Sequence, residues 1–192
     1  VTSMRNLQQL IPLTLTLIAS AVSLQAQQRP QQYDLVVYGG TAGGVITAVS
    51  AARHGLKAVV LEPGTHVGGM VTGGLSRTDV GKREVIGGMS LEFYVRLAVK
   101  YDLGRFLHNV AWLHEPKVGE QVFQEMLTEA GVPVLYRHRQ REKTGVRKDG
   151  TQVTEIVMEN GSRFTGMFRK SYLCNRLWPI VTYNKKTRIF NE

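Results

Sequence analysis

Six residues between an apolar run and an Ala-rich segment have the types and spacing that could bind a phosphate. They are Gly39, Gly40, Thr41, Ala42, Gly43 and Gly44, called here the first glycine turn. The turn follows the apolar run 35–38 and precedes residues 45–54, whose Ala-rich pattern predicts a helix. Free N–H groups and the positive dipole end at the start of a helix attract anions. The turn therefore stands where dinucleotide-binding folds carry the pattern G-x-G-x-x-G.

The first glycine turn departs from that pattern at its middle position, where Thr41 stands in place of glycine. Gly39 is expected to allow the tight turn off the strand, and Gly44 to allow close packing of the helix on the sheet. The β-branched side chain of Thr41 would crowd a bound pyrophosphate unless Gly40 and Gly43 re-route the loop. Both alternatives are open at the level of sequence.

The elements around the turn form a strand, helix, strand unit. The apolar runs 35–38 and 57–61 are typical of buried parallel strands, and the helical pattern between them ends at Gly55. Glu62 follows the second run, at the place where an acid accepts hydrogen bonds from ribose hydroxyls. Because an acid disfavours a 2′-phosphate, NADP is the least favoured dinucleotide. The alternative is a unit that binds no nucleotide and whose glycines only make a turn.

The positive charge of the chain is confined to two segments. The 192 residues include 24 Lys and Arg against 15 Asp and Glu, a formal net charge of +9. Residues 136–150 carry +4 and residues 167–192 carry +5, so the remainder is nearly neutral. The run 136–143 is interpreted as a solvated strand end, with contact to an anionic substrate or phosphate as the alternative. This distribution argues against a nucleic-acid-binding protein.

Residues 1–26 have the order of a secretory signal peptide. Arg5 is followed by an apolar stretch over 10–24 and then by small and polar residues. Cleavage is predicted after Ala26, with a cut at the small residues 19–21 as an alternative. The stretch is shorter than the roughly 20 apolar residues of a membrane span, and no basic stop-transfer segment follows it. We expect an exported protein with no membrane span after cleavage; an uncleaved anchor helix is the alternative.

Beyond the first unit, the pattern continues to alternate between helices and strands. Helical spacing over 91–101 and 120–131 predicts two further helices, and 132–136 predicts a third strand. Short segments over 144–164, with Asp-Gly and Asn-Gly turns, predict a β-meander. The expected fold class is α/β, a Rossmann-like doubly wound parallel sheet with a small β-meander.

Several separated motifs in order make the sequence resemble the FAD-dependent oxidoreductases. It is most similar to an exported bacterial group within the two-dinucleotide-binding-domain flavoproteins. The resemblance covers residues 33–166. It rests on residues 38–44, 62–63, 68–70, 72–75, 78–79, 86–88, 92–94, 112 and 115–116.

The resemblance implies that FAD is bound by both glycine clusters and by the acid between them. The predicted cofactor-binding residues are Gly39, Gly40, Thr41, Ala42, Gly43, Gly44, Glu62, Gly68, Gly69 and Met70. Independently, a second close backbone approach at 68–70 suits FAD better than NAD, because the flavin reaches away from the pyrophosphate. His66 is interpreted as a surface side chain rather than as a site of covalent flavin attachment.

The matching pattern is expected to stop at Gly166. Residues 33–166 are interpreted as an incomplete FAD-binding domain, and residues 167–192 as a divergent tail, truncated or frame-shifted. The tail contains Cys174, which alone makes no internal disulfide or zinc site, and no metal site is predicted.

The expected function is hydride transfer from an unidentified small-molecule substrate to FAD, with no catalytic acid or base assigned. A non-catalytic nucleotide-binding fragment and an NAD-binding oxidoreductase domain are the alternatives.

Overall fold

The structure, a computed structural model, describes residues 29–74, 81–102, 109–170 and 180–182. The predicted signal peptide, the motif at 78–79, Cys174 and most of the predicted tail lie outside these residues. From Gln31 onward the described residues belong to one folded unit.

The described residues form seven strands, three α-helices and two short 3₁₀ turns. The strands are β1 (Gln31–Tyr38), β2 (Ala58–Glu62), β3 (Val134–Tyr136), β4 (Val146–Asp149), β5 (Gln152–Val157), β6 (Arg163–Lys170) and β7 (Ile180–Thr182). The helices are α1 (Ala42–Arg53), α2 (Gly88–Lys100) and α3 (Pro116–Glu129), and the 3₁₀ turns are Gly69–Val71 and Arg83–Val85.

The strands form one mixed sheet in the order β3-β2-β1-β6-β5-β4, with β7 paired to β6. Strands β3, β2, β1 and β6 run parallel to one another, whereas β5 runs antiparallel to β6 and β4 runs antiparallel to β5. The sequence prediction of an α/β, Rossmann-like sheet with a β-meander is confirmed. Since the carboxyl ends of β1 and β2 meet at one edge, the first glycine turn and Glu62 must lie there together.

The core lies on both faces of the parallel strands. Side chains alternate along β1, so Leu35 and Val37 pack on one face, whereas Val36 and Tyr38 pack on the other. The first face also buries residues from all three helices, and the second buries residues of β2, β5 and β6. Burial on both faces explains why the sequence of β1 is a continuous apolar run rather than an alternating one.

Each helix begins three or four residues before the start that its apolar spacing predicted. α1 begins at Ala42 rather than 45, α2 at Gly88 rather than 91, and α3 at Pro116 rather than 120. The first turn of a helix often faces solvent, so its residues do not add to the apolar spacing. The start of a helix is signalled by its capping residues instead. α3 begins with Pro116, whose missing N–H costs nothing at a helix start.

A network of charged side chains joins the three helices. Glu92 of α2 accepts hydrogen bonds from Arg53 of α1 at 2.7 Å and from Arg96 at 2.9 Å. Arg96 also pairs with Glu129 of α3. The hydrogen bonds from Arg53, followed by those from Arg96, hold the pKa of the Glu92 carboxyl at about 2. The network fixes α1 relative to the other two helices. It lies on the face of the sheet that carries Leu35 and Val37.

The last long strand extends past Gly166, the point at which the matching pattern was expected to stop. β6 runs to Lys170 and pairs in parallel with β1, through Gln31 opposite Phe164 and Leu35 opposite Met167. The chain therefore returns from the meander to the middle of the sheet. The sequence alone did not show this, because the parallel partner of the strand, β1, lies more than 130 positions earlier in the chain.

Candidate functional site

The first glycine turn leaves β1 through a backbone conformation that favours glycine. Gly39 has a φ of 100° and donates its N–H to the Leu61 carbonyl of β2 at 2.8 Å. Gly44 comes so close to the turn that a Cβ there would lie 2.3 Å from the Gly39 carbonyl oxygen. The roles expected of these two glycines, a tight turn and a close approach of the helix, are therefore present in the structure.

Thr41 is the N-cap of α1. Its hydroxyl oxygen accepts the N–H of Gly44 at 3.1 Å, and its carbonyl accepts the N–H of Val45 at 2.8 Å. The side chain is therefore bonded to the helix itself and satisfies one of the N–H groups that a helix start leaves open. The N–H group of Gly43 makes no hydrogen bond within the described part of the chain, and this amide can bind an anion.

Glu62 stands at the end of β2 with both carboxylate oxygens hydrogen-bonded. Oε2 accepts the N–H of Gly40 and Oε1 accepts the N–H of Gly64, each at 2.6 Å. A Cβ at Gly40 would lie 3.0 Å from Oε2 and 2.9 Å from Val67, so the turn fits against the acid only as glycine. The half-buried carboxylate is thus held in one orientation beside the turn, and its oxygens keep lone pairs for a further donor.

A second loop, Val67–Thr72, lies directly against the first glycine turn and is called here the second glycine loop. The N–H of Gly68 donates to the Gly40 carbonyl at 2.6 Å, and Gly68 also forms a parallel bridge with Thr41. A Cβ at Gly69 would lie 3.2 Å from the Thr41 Cα. Met70, at the tip, is 57 % exposed. The structure thus brings together the residues predicted from the two glycine clusters and from Glu62.

His66 precedes the second glycine loop and points to α3. Its Nδ1 lies 3.1 Å from a carboxylate oxygen of Glu120, and its side chain is 76 % exposed. The histidine therefore lies on the surface with an acidic partner.

The end of β3 closes the site on the side of Glu62. The N–H of Arg137 donates to the Gly64 carbonyl at 2.9 Å, and the N–H of His138 donates to the Glu62 carbonyl at 3.0 Å. The Tyr38 hydroxyl accepts the N–H of Gln140 at 3.0 Å, and burial raises the pKa of Tyr38. The side chain of Arg137 is exposed. This agrees with a solvated strand end, while the backbone of the segment supports the acid-bearing loop.

Two residues that sequence analysis did not single out contact the second glycine loop. Glu120 of α3 accepts the N–H of Val67 at 3.2 Å, and the His114 Nε2 lies 3.2 Å from the Val71 carbonyl oxygen. A signal existed for His114, which lies between Trp112 and the Glu115-Pro116 pair that the resemblance used. Glu120 had no such signal, because an acid on a helix surface is commonplace.

The chemistry that the site can supply is binding rather than acid–base catalysis. Its groups are an open helix amide, a fixed carboxylate and glycine backbone that a ligand can approach closely. Among the described residues, no group of three His, Cys, Asp or Glu side chains could hold a metal ion. None of the described helices is long and apolar enough to cross a membrane.

Comparison with known protein families gives a match that covers this site. The model of the family described as FAD dependent oxidoreductase matches residues 34–168. This range includes the first glycine turn, Glu62, the second glycine loop and most of β6. A comparison with curated protein sequences gives no match.

Among solved structures, the chain is similar to L-proline dehydrogenase from P. horikoshii, with 14% identity and a TM-score of 0.51 over 71% of this chain and 51% of that one. An oxidized steroid monooxygenase bound to NADP shares 15% identity and a TM-score of 0.48, over 76% of this chain and 28% of that one. A flavin-containing monooxygenase from Stenotrophomonas maltophilia shares 16% identity and a TM-score of 0.47, over 71% and 36%. The chain spans between 28% and 51% of the length of these three proteins. The likeness to L-proline dehydrogenase shows that the chain shares its fold.

Proposed function

The chain belongs to the FAD dependent oxidoreductase family, and on this premise we propose that residues 31–170 are the FAD-binding portion of an oxidoreductase. The observation that carries the proposal is the contact between the first glycine turn and the second glycine loop. Glu62 is hydrogen-bonded to the first glycine turn at 2.6 Å. Together these groups form a continuous strip of glycine backbone from the ribose acid to the exposed tip at Met70. Such a strip suits a ligand longer than the ADP half of a dinucleotide.

Each part of this strip has a chemical role in the proposal. The open N–H group of Gly43 holds the pyrophosphate at the positive end of the α1 dipole. The carboxylate of Glu62 accepts hydrogen bonds from the ribose hydroxyls. The second glycine loop, with Gly69 and Met70, contacts the flavin half. Bound FAD supplies the acceptor for a hydride, and the protein supplies binding and orientation.

We assign the binding of the substrate to a part of the protein outside the described residues. The site described above contains no acid or base placed for proton transfer, and the chain spans only part of the solved structures it resembles. We propose that a substrate-binding region covers the flavin and that the substrate is a small molecule oxidised by hydride loss.

The test is a comparative titration of the purified chain with FAD, NAD and ADP. We expect a yellow protein that binds FAD more tightly than ADP and ADP more tightly than NAD, because the second glycine loop adds contacts that only FAD can use. Isothermal calorimetry measures the three affinities, and the quenching of flavin fluorescence gives a second measurement for FAD. A colourless protein that cannot be reconstituted with FAD would contradict the proposal, and a preference for NAD would favour an NAD-binding domain.

We also propose that the protein is exported and belongs to an exported bacterial group of this family. The support is the order of charge, apolar stretch and small residues over 1–26. N-terminal sequencing of the protein recovered outside the cytoplasm should begin at Gln27. Recovery of the chain with residues 1–26 intact, and only in the cytoplasm, would overturn this proposal.

A further inference from the structure

The second glycine loop is closed at its base but exposed at its tip. The Thr72 hydroxyl donates to the Val67 carbonyl at 2.5 Å, which joins the first and last residues of the loop. Gly68 and Gly69 have φ values of 104° and 58°, so the backbone between them turns sharply. One side of this turn rests on Thr41 of the first glycine turn. What holds the other side decides where Gly69 and Met70 lie.

Two side chains from one short segment, 114–120, hold that other side. Glu120 accepts the N–H of Val67 at 3.2 Å, and its carboxylate also lies 3.1 Å from the His66 Nδ1. The His114 Nε2 lies 3.2 Å from the Val71 carbonyl oxygen. The two contacts thus reach opposite ends of the loop, one through a backbone donor and the other through a backbone acceptor.

His114 is packed so that it can hold the loop from a fixed position. Its ring meets Phe93 of α2 edge-on, with ring centroids 5.4 Å apart and an interplanar angle of 84°. On its other side, a Cβ at Gly119 would lie 2.7 Å from the ring, so only glycine leaves room for the imidazole.

The protonation state of His114 follows from its surroundings. Burial lowers the pKa of its imidazole, which the hydrogen bond with Val71 raises in part. A carbonyl oxygen can only accept, so the neutral ring carries its proton on Nε2 and donates it to Val71. Its Nδ1 is buried without a hydrogen-bond partner among the described residues, which leaves the contact with Val71 as the polar function of this ring.

We propose that His114 and Glu120 are positioning residues that clamp the second glycine loop in the conformation that receives the flavin half of FAD. Neither residue touches the first glycine turn or the Glu62 carboxylate through a hydrogen bond. The clamp therefore acts on the part of the site that FAD uses and ADP does not. This inference rests on the proposed function, because it assigns the loop to FAD.

The experiment measures the dissociation constants of FAD and ADP for the full chain and its variants. His114→Phe keeps a ring against Phe93 and removes the donor to Val71, whereas Glu120→Leu removes the acceptor for Val67. We expect each variant to weaken FAD binding by about tenfold and ADP binding by less than about threefold, since each loses one hydrogen bond that orders the loop.

Rescue and control variants separate a clamp from general damage to the fold. Glu120→Gln keeps an oxygen for the Val67 N–H and should recover most of the FAD affinity. Gln121→Leu changes an exposed residue of the same helix that makes no hydrogen bond to the loop, and should leave both affinities unchanged. The visible circular dichroism of bound flavin should change in His114→Phe and Glu120→Leu but not in the control, because it reports the position of the ring.

The outcomes distinguish the clamp from the function on which it rests. If the wild-type chain does not bind FAD, the proposed function fails and the clamp with it. If the wild-type chain binds FAD and the variants bind it equally well, the clamp alone is overturned. Equal losses for FAD and ADP also overturn it, because they indicate a general structural role.

Discussion

Replacing Glu62 with glutamine is expected to weaken FAD binding by about 100-fold, which corresponds to about 2.7 kcal/mol. Both carboxylate oxygens accept a backbone N–H at 2.6 Å, from Gly40 and from Gly64. A glutamine amide has one oxygen only, so its NH₂ group must face one of these two donors. One bond is then replaced by a repulsive contact, and the other loses the contribution of the negative charge.

Glu62→Gln is expected to lower the stability of the fold as well as the affinity for FAD. Gly40 is buried, and an unsatisfied buried N–H costs about 1–3 kcal/mol. We expect the free energy of unfolding of Glu62→Gln to fall by about 2 kcal/mol, for the same reason. The ribose hydroxyls then meet a neutral group instead of a carboxylate, which adds to the loss of FAD affinity.

The matched control for this variant is Glu142→Gln. It removes the same charge from an exposed loop residue and should change neither quantity by more than measurement error. Urea unfolding gives the stabilities, and titration of flavin fluorescence gives the affinities. Glu62→Gln with wild-type affinity for FAD would show that the carboxylate serves the turn alone and does not contact the ribose.

The parts of the fold that the sequence predicted are those determined by local patterns. The apolar runs predicted strands at 35–38 and 57–61, and the structure has β1 ending at Tyr38 and β2 at Ala58–Glu62. The glycines of the first turn were recognisable because a tight turn and a close helix approach leave few other residue types. Both features depend on neighbours within a few positions in the chain, which a single sequence records.

The parts that were missed depend on residues far apart in the sequence. The bond between Val67 and Glu120 spans 53 positions. The continuation of β6 beyond Gly166 depends on pairing with β1, more than 130 positions earlier. No local period signals such contacts. The capping role of Thr41 was missed for a different reason, because the start of α1 was placed too late.

The site therefore divides into a part that the sequence encodes locally and a part that the tertiary structure supplies. The first glycine turn and the Glu62 position come from one strand, helix, strand unit. The second glycine loop is also local, but its placement is not, because it is set by Thr41 on one side and by His114 and Glu120 on the other. Arrangement of a recognisable loop by distant side chains is what makes cofactor contacts hard to predict from motifs alone.

Replacing Gly44 with alanine is expected to lower the free energy of unfolding by about 3 kcal/mol, the upper end of the usual cost of overpacking. The added Cβ would lie 2.3 Å from the Gly39 carbonyl oxygen and 3.2 Å from Val37. The nearer neighbour is backbone, which cannot move aside as a flexible side chain can. The first turn of α1 must shift away from β1, and this shift breaks the bond between the Gly44 N–H and the Thr41 hydroxyl.

The same shift should abolish FAD binding at micromolar concentrations, because it displaces the open amide of Gly43 from the pyrophosphate position. Gly87→Ala is the matched control, since Gly87 has an ordinary φ of −138° and a Cβ there meets no atom of the described structure within 4 Å. Gly87 is the N-cap of α2, so this variant should lose less than about 1 kcal/mol, the cost of alanine at a cap. Urea unfolding and FAD titration, made at a temperature where both variants are folded, measure the two effects. Gly44→Ala with wild-type stability would mean that α1 does not approach β1 as closely as described. If Gly44→Ala loses stability but keeps its affinity for FAD, the helix start does not hold the pyrophosphate. Glu62 and the second glycine loop would then be the sources of affinity.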